Sequence, residues 1–172
     1  ESSYQVDAKD IVQSDEDVIF GGLLAEHFGH FFTESLCRMW YVIQNPDLKS
    51  KKIVFVTTLS NGRHQKFHDQ FFSLMGIEQE RIIYVDKPLQ FRSVTIPEQS
   101  QYGWTRITKE FFIPYQEIKA RVKPAPSEHK KIYLTRLGFE FKKHGNVHCF
   151  NEKYFEDFFA SRGFKVVSME KL

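Results

Sequence analysis

Lys52-Ile53-Val54-Phe55-Val56-Thr57 decides the fold. Its apolar residues run together without polar alternation, the pattern of a strand buried within a parallel sheet. On its N-terminal side, Phe28, Phe32, Leu36, Met39/Trp40 and Ile43 recur at helical spacing and predict a helix over residues 29–43. Asn45-Pro46 stops that helix, since the residue before proline avoids the α region. Further back, Val18-Ile19-Phe20 reads as a strand ending at Gly21-Gly22. On the other side, residues 64–75 read as a helix closed by Gly76, after a Ser60-Asn61-Gly62 turn. Strands follow at 81–85 and 89–96, then a loop at 99–104 and a helix over 109–122 that Pro114 is expected to kink. Strands alternating with helices mean βαβ units, hence an α/β fold with a Rossmann-like, mostly parallel sheet flanked by helices.

Lys123-Pro124-Ala125-Pro126-Ser127 is the best linker in the chain. It divides a first domain, residues 1–122, from a second segment, residues 128–172, that supplies only a strand (131–135), a loop (136–150), a helix (151–162) and a strand (164–167). Asn151 is placed to cap that helix and Gly163 to end it. Such a short unit reads as the truncated start of a second domain. Its unpaired strand edge and seven phenylalanines would favour pairing with another copy in a homodimer.

The 172 residues are 41% hydrophobic and 27% charged, a globular composition that excludes disordered and collagen-like chains. No apolar run approaches the roughly 18 residues of a membrane span. Cys37 and Cys149 are too few for a disulfide framework and read as buried free thiols in a reducing, cytoplasmic compartment. No Asn-x-Ser/Thr sequon occurs. A net charge of +2 argues against a dedicated nucleic-acid binder. The total nevertheless conceals an asymmetry, with seven acids against Lys9 in residues 1–30 and eight bases against two acids in residues 119–145. The basic stretch is either an ordinary solvated surface or an anion site.

The densest polar cluster is Glu26-His27-Phe28-Gly29-His30-Phe31-Phe32-Thr33-Glu34. On a helix, His27, His30 and Glu34 would share one face. A histidine beside a carboxylate is an oriented base, and the end of a strand is where open α/β sheets place ligands. The plainer alternative is a capping histidine with Glu34 ion-paired to Arg38. A metal site is a third possibility, built from His27, His30 and Glu34 or from His64 and His68, although neither set matches a zinc signature and the last two read more readily as solvated or capping histidines. The absence of Gly-x-Gly-x-x-Gly and of a phosphate-loop lysine disfavours dinucleotide oxidoreductases and nucleoside triphosphatases. In the second segment, Arg136 leaves the strand Lys131-Ile132-Tyr133-Leu134-Thr135 and is followed by a basic loop and a helix start at Asn151-Glu152. That arrangement suits a diphosphate clamp, although Glu152 would equally serve the helix dipole.

Phe28-Gly29-His30-Phe31-Phe32-Thr33-Glu34-Ser35-Leu36, with Arg38 and Trp40 behind it, resembles a segment of the family-61 glycosyltransferases. Ile132-Tyr133-Leu134-Thr135-Arg136, then Asn151-Glu152, then Gly163-Phe164-Lys165-Val166-Val167 are similar to further blocks of that family in the same order. The resemblance implies a two-Rossmann-domain GT-B-like architecture, of which this chain is an N-terminal fragment. It also implies inverting transfer of a sugar from a nucleotide-diphosphate sugar to a hydroxyl acceptor, in polysaccharide or glycan synthesis. The nucleotide sugar is a co-substrate and no resident cofactor is implied, while metal dependence stays open. By resemblance His30 is the base, Glu34 its orienter, and Arg136, His148, Asn151 and Glu152 donor contacts. His148 stands where the family usually carries an arginine, and the family's later Gly- and His-containing donor block does not occur before Leu172. The other class consistent with the residues is a non-catalytic α/β module that holds an anionic polymer or phosphorylated partner on residues 119–145.

Overall fold

In the computed structural model, residues 6–57, 65–103, 105–137 and 151–168 are described. The chain forms two compact units, Glu1–Lys123 and Pro124–Leu172, which meet within the proline-containing stretch. The first is built on a four-stranded parallel sheet of β1 (Val12–Leu24), β2 (Lys52–Thr57), β3 (Ile82–Val85) and β4 (Leu89–Thr95), in the order β3-β2-β1-β4. Helices α1 (Phe28–His30), α2 (Met39–Gln44), α3 (Lys66–Leu74) and α4 (Ile113–Arg121) flank it. A two-stranded antiparallel hairpin, β5 (Gln101–Tyr102) with β6 (Arg106–Ile107), occupies the segment expected to be a loop. Among the described residues, no helix is long and apolar enough to cross a membrane.

The core lies between one sheet face and the helices. Ile19, Ile53, Phe55 and Ile82 from the strands meet Phe31, Leu36, Met39, Val42 and Phe72 from the helical side. Part of the phenylalanine excess is spent here, with Phe31, Phe55 and Phe72 fully buried and packed edge-on or tilted at 5.1–5.7 Å between ring centres. The opposite sheet face is less covered, and Leu23, Val56 and Val94 remain exposed on it.

Three elements differ from the pattern expected of the sequence. β1 does not end at Gly21-Gly22 but runs through them to Leu24. A Cβ on Gly21 would lie 2.6 Å from the Phe55 ring, so the glycine lets that ring press on the β1 backbone. Gly22, at φ 115°, absorbs a register shift against β2, a bulge conformation closed to most side chains. The expected helix over 29–43 is broken into α1, a π-helical turn (Phe31–Ser35) and α2. Thr33 Oγ donates back to the Gly29 carbonyl at 3.0 Å, one local competitor of regular helix geometry. Pro114 does not kink a helix: it sits in the first turn of α4, after a 3-10 turn (Lys109–Phe112), where its missing N–H removes no hydrogen bond. The Ser60-Asn61-Gly62 turn and most of the 136–150 loop lie outside the described residues.

The second unit contains β7 (Ile132–Thr135), α5 (Glu152–Ala160) and β8 (Lys165–Ser168), with β7 and β8 parallel. Tyr133 stacks on Phe159 at 4.5 Å, and Phe159 meets Phe164 at 5.1 Å, so the helix covers one sheet face. Ile132 and Leu134 on the alternate face are exposed, as are Tyr154, Phe155 and Phe158 on the helix.

β1 and β4 are also joined by charge. Arg92 donates from Nε and Nη2 to the two carboxylate oxygens of Asp17 at 2.9 and 2.7 Å, and Ser93 Oγ donates to Oδ1 at 2.6 Å. The Arg92 guanidinium, helped by Ser93, holds the Asp17 carboxyl well below the usual carboxylate range. With its pKa lowered by folding, Asp17 contributes stability that is present above the ordinary carboxylate range and lost as pH falls through the lowered value. Asp17→Asn should therefore flatten the fall in thermal midpoint between about pH 5 and pH 2. Parallel midpoint curves for wild type and variant across that window would contradict the pairing.

Candidate functional site

The connections from β1 to β2 to β3 step outward on one side of β1, whereas β4 returns to its other side. The reversal makes the C-terminal ends of β1 and β4 the topological switch point, where open α/β sheets leave a crevice for ligands. A cavity of about 570 Å³ occupies this place, lined among others by Phe20, Glu34, Cys37, Arg38, Gln99 and Gln101. Its residues come from the end of β1, the helical segment after it, and the chain following β4.

The turn leaving β1 is held through one peptide-bonded residue. The Ala25 N–H donates to Ser35 Oγ at 2.9 Å, and its carbonyl accepts from His68 Nε2 at 3.0 Å. Ser35 and His68 are 0% and 1% exposed. His68 Nδ1 in turn accepts the Gln65 N–H at 2.9 Å, completing a capping box at the start of α3. Both ring nitrogens are thus committed to backbone groups, and His68 is an internal strut rather than a metal ligand. His64, its partner in that expectation, lies outside the described residues.

Beyond Ala25 lies the polar cluster. His27 is the N-cap of α1, its Nδ1 accepting the Gly29 N–H at 3.2 Å, and its ring stands edge-on to that of His30 at 5.3 Å between ring centres. His30 and Glu34 do come together: Nδ1–H donates to Glu34 Oε1 at 2.5 Å, with both side chains about half exposed. This fixes the tautomer, placing the lone pair of the neutral ring on Nε2. Among the described residues, no group of three or more His, Cys, Asp or Glu side chains is arranged to hold a metal.

Glu34 does not take the Arg38 ion pair open to it. Arg38 turns instead to the chain after β4, where Nε donates to the Pro97 carbonyl at 3.2 Å. With the Gln99 amide oriented to satisfy its neighbours, its oxygen accepts from Arg38 Nη2 at 2.5 Å and its nitrogen donates to the Gln101 carbonyl at 3.1 Å. The guanidinium also lies 5.3 Å over the Phe20 ring. Burial pushes the Cys37 thiol up, against a smaller opposing pull from Arg38, which makes it a packing group and not a ready thiolate. Half-buried Tyr115, pushed up to about 12 by that burial, donates its hydroxyl to the Phe32 carbonyl. Arg38, Gln99 and Gln101 form a cleft wall that sequence reasoning did not assemble.

In the second unit, Glu152 stands in the first turn of α5, as the dipole reading expects, but its carboxylate is buried rather than facing solvent. Its Oε1 is buried at the end of β7, accepting from Tyr133 OH at 2.9 Å and from the Arg136 N–H at 3.0 Å, with Thr135 Oγ 3.1 Å away. Thr135 Oγ lies nearer Glu156, at 2.6 Å, and accepts the Leu137 N–H. Glu152 therefore locks the backbone from which Arg136 projects. Asn151 occupies the N-cap position without a side-chain cap bond, contrary to expectation. His148 and Cys149 lie outside the described residues. His30 with Glu34, and Arg136 with Glu152, are two local pairs in different units.

The basic stretch is likewise divided. Lys119 and Arg121 belong to α4 of the first unit, with Arg121 paired to Glu117 at 2.7 Å, whereas Lys130, Lys131 and Arg136 belong to the second. Lys142 and Lys143 lie outside the described residues.

Removing the Ser35 hydroxyl strands the Ala25 N–H without its buried partner. Ser35→Ala should lower unfolding free energy by about 1–3 kcal/mol, read by urea titration. A change within a few tenths would mean that the turn is held without Ser35.

Comparison of the chain with protein-family models, curated proteins and solved structures finds no match in any of the three.

Proposed function

We propose that this chain belongs to an inverting glycosyltransferase, the first unit holding the hydroxyl acceptor and the second contributing to the nucleotide-diphosphate-sugar site. The observation that carries the reading is the His30–Glu34 pair, with Glu34 on the wall of the switch-point cleft. The motif resemblance supports it independently, since the same two residues are the ones it marks.

In this reaction the acceptor oxygen attacks the anomeric carbon from the side opposite the nucleotide. Its proton passes to His30 Nε2, the new C–O bond forms, and the bond to the diphosphate oxygen breaks with inversion. Glu34 keeps the imidazole in the tautomer that accepts this proton and stabilises the imidazolium that results. The leaving diphosphate carries the departing electron pair, and Arg136 is the cation assigned to it, its backbone set by Glu152. Positioning of acceptor against donor supplies much of the remaining rate.

The test is a transfer assay on the full reading frame that encodes this chain, with a panel of nucleotide-diphosphate sugars and hydroxyl acceptors. One donor should be preferred, and His30→Ala should lower kcat by about 10²–10⁴-fold. A near-wild-type rate in that variant removes His30 as the base. Binding of heparin-like polymer that collapses with salt, without any nucleotide-sugar preference, would instead favour the non-catalytic reading.

A further inference from the structure

Arg38 is the one cationic side chain on the cleft wall, and among the described residues it meets no carboxylate. Its partners are neutral: the Pro97 carbonyl, the Gln99 amide oxygen and, at 3.7 Å, the Cys37 sulfur. The first two are met by Nε and Nη2. Nη1 and Nη2 carry two N–H groups each, so beyond Gln99 on Nη2 and the Cys37 sulfur on Nη1 each has one more to offer an acceptor. Phe20 beneath the plane holds the fork in orientation. Gly22 keeps the neighbouring space open, because a Cβ there would lie 3.0 Å from Nη1. On the same wall, Gln101 Oε1 is buried and meets no hydrogen-bond donor among the described residues.

We propose that this cleft takes a carboxylate-bearing sugar, a hexuronate, with its carboxylate on Nη1 and Nη2 of Arg38 and its hydroxyls toward Glu34 and Gln101. The inference deepens the acceptor-site reading above and rests on it for the sugar. A planar two-oxygen anion matches a single guanidinium fork bidentately. A phosphate dianion matches this site less well, since only one cation serves it and the Glu34 carboxylate shares the wall. The volume of about 570 Å³ suits a ligand of one or two sugar rings.

Calorimetric titration of the intact protein at low salt with digalacturonate, its fully methyl-esterified counterpart and glucose 6-phosphate tests the assignment without requiring turnover. The free carboxylate form should bind at least about tenfold more tightly than the neutral ester, in line with a charge-assisted bidentate pair. Arg38→Gln should abolish that preference. Because Arg38 also ties down the chain after β4, circular dichroism must show the variant folded. If it is not, Arg38→Lys, which keeps the charge and lacks the fork, should reduce the preference instead. Equal affinity for acid and ester, an undiminished preference in the folded variant, or tighter binding of glucose 6-phosphate overturns the proposal. A uronate preference without any sugar transfer would remove the transferase reading and leave this one standing; transfer onto neutral acceptors without uronate preference would do the reverse.

Discussion

The polar geometry of the first unit hangs on the peptide groups of Ala25. A strand that ends in a buried crevice must dispose of its last N–H and C=O without water, or lose roughly 1–3 kcal/mol for each left unpaired. Here a buried hydroxyl takes the N–H and a buried imidazole supplies the carbonyl's donor. Ser35 belongs to the helical segment that carries His30 and Glu34, and His68 belongs to α3. The two bonds therefore tie both the helical segment that carries the candidate base and α3 to the residue after β1. The π-helical turn at Phe31–Ser35 accompanies this arrangement, consistent with the use of such turns at functional sites.

Packing reinforces the same point of the fold. Gly21 admits the Phe55 ring onto the backbone of β1, and Gly22 bends the strand immediately afterwards. Phe55 then continues into Phe72, and Phe72 into Phe31, a run of rings from sheet to site helix. Substituting either glycine would strain the strand and shift the segment bearing His30.

Much of this was legible in local pattern. The unbroken apolar run at residues 52–57 reported a central parallel strand, and strand–helix alternation reported the sheet. The contact of His30 with Glu34 followed from four-residue spacing, which survives the irregular helix. What local pattern could not carry was anything set by chain return. The path of β1 through Gly21-Gly22 depends on Phe55, and the direction of Arg38 depends on Pro97 and Gln99 beyond β4. The bonds that Glu152 makes besides its place at the helix start were not legible, because its partners, Tyr133 and Arg136, lie across a loop. Capping was among the roles local pattern offered His68, and it holds; its bond to Ala25 and its burial are not written in its neighbourhood.

The ring tautomers of two histidines test this architecture most directly. Long-range proton–nitrogen NMR on uniformly labelled protein near neutral pH distinguishes a ring protonated at Nδ1 from one protonated at Nε2. With the Ala25 carbonyl and the Gln65 N–H as its partners, His68 should be the neutral Nε2–H form. With Glu34 on Nδ1, His30 should carry its proton there. A His68 ring protonated at Nδ1, or a His30 ring in the Nε2–H form, would contradict the account of how the turn after β1 is held and of which nitrogen is the base.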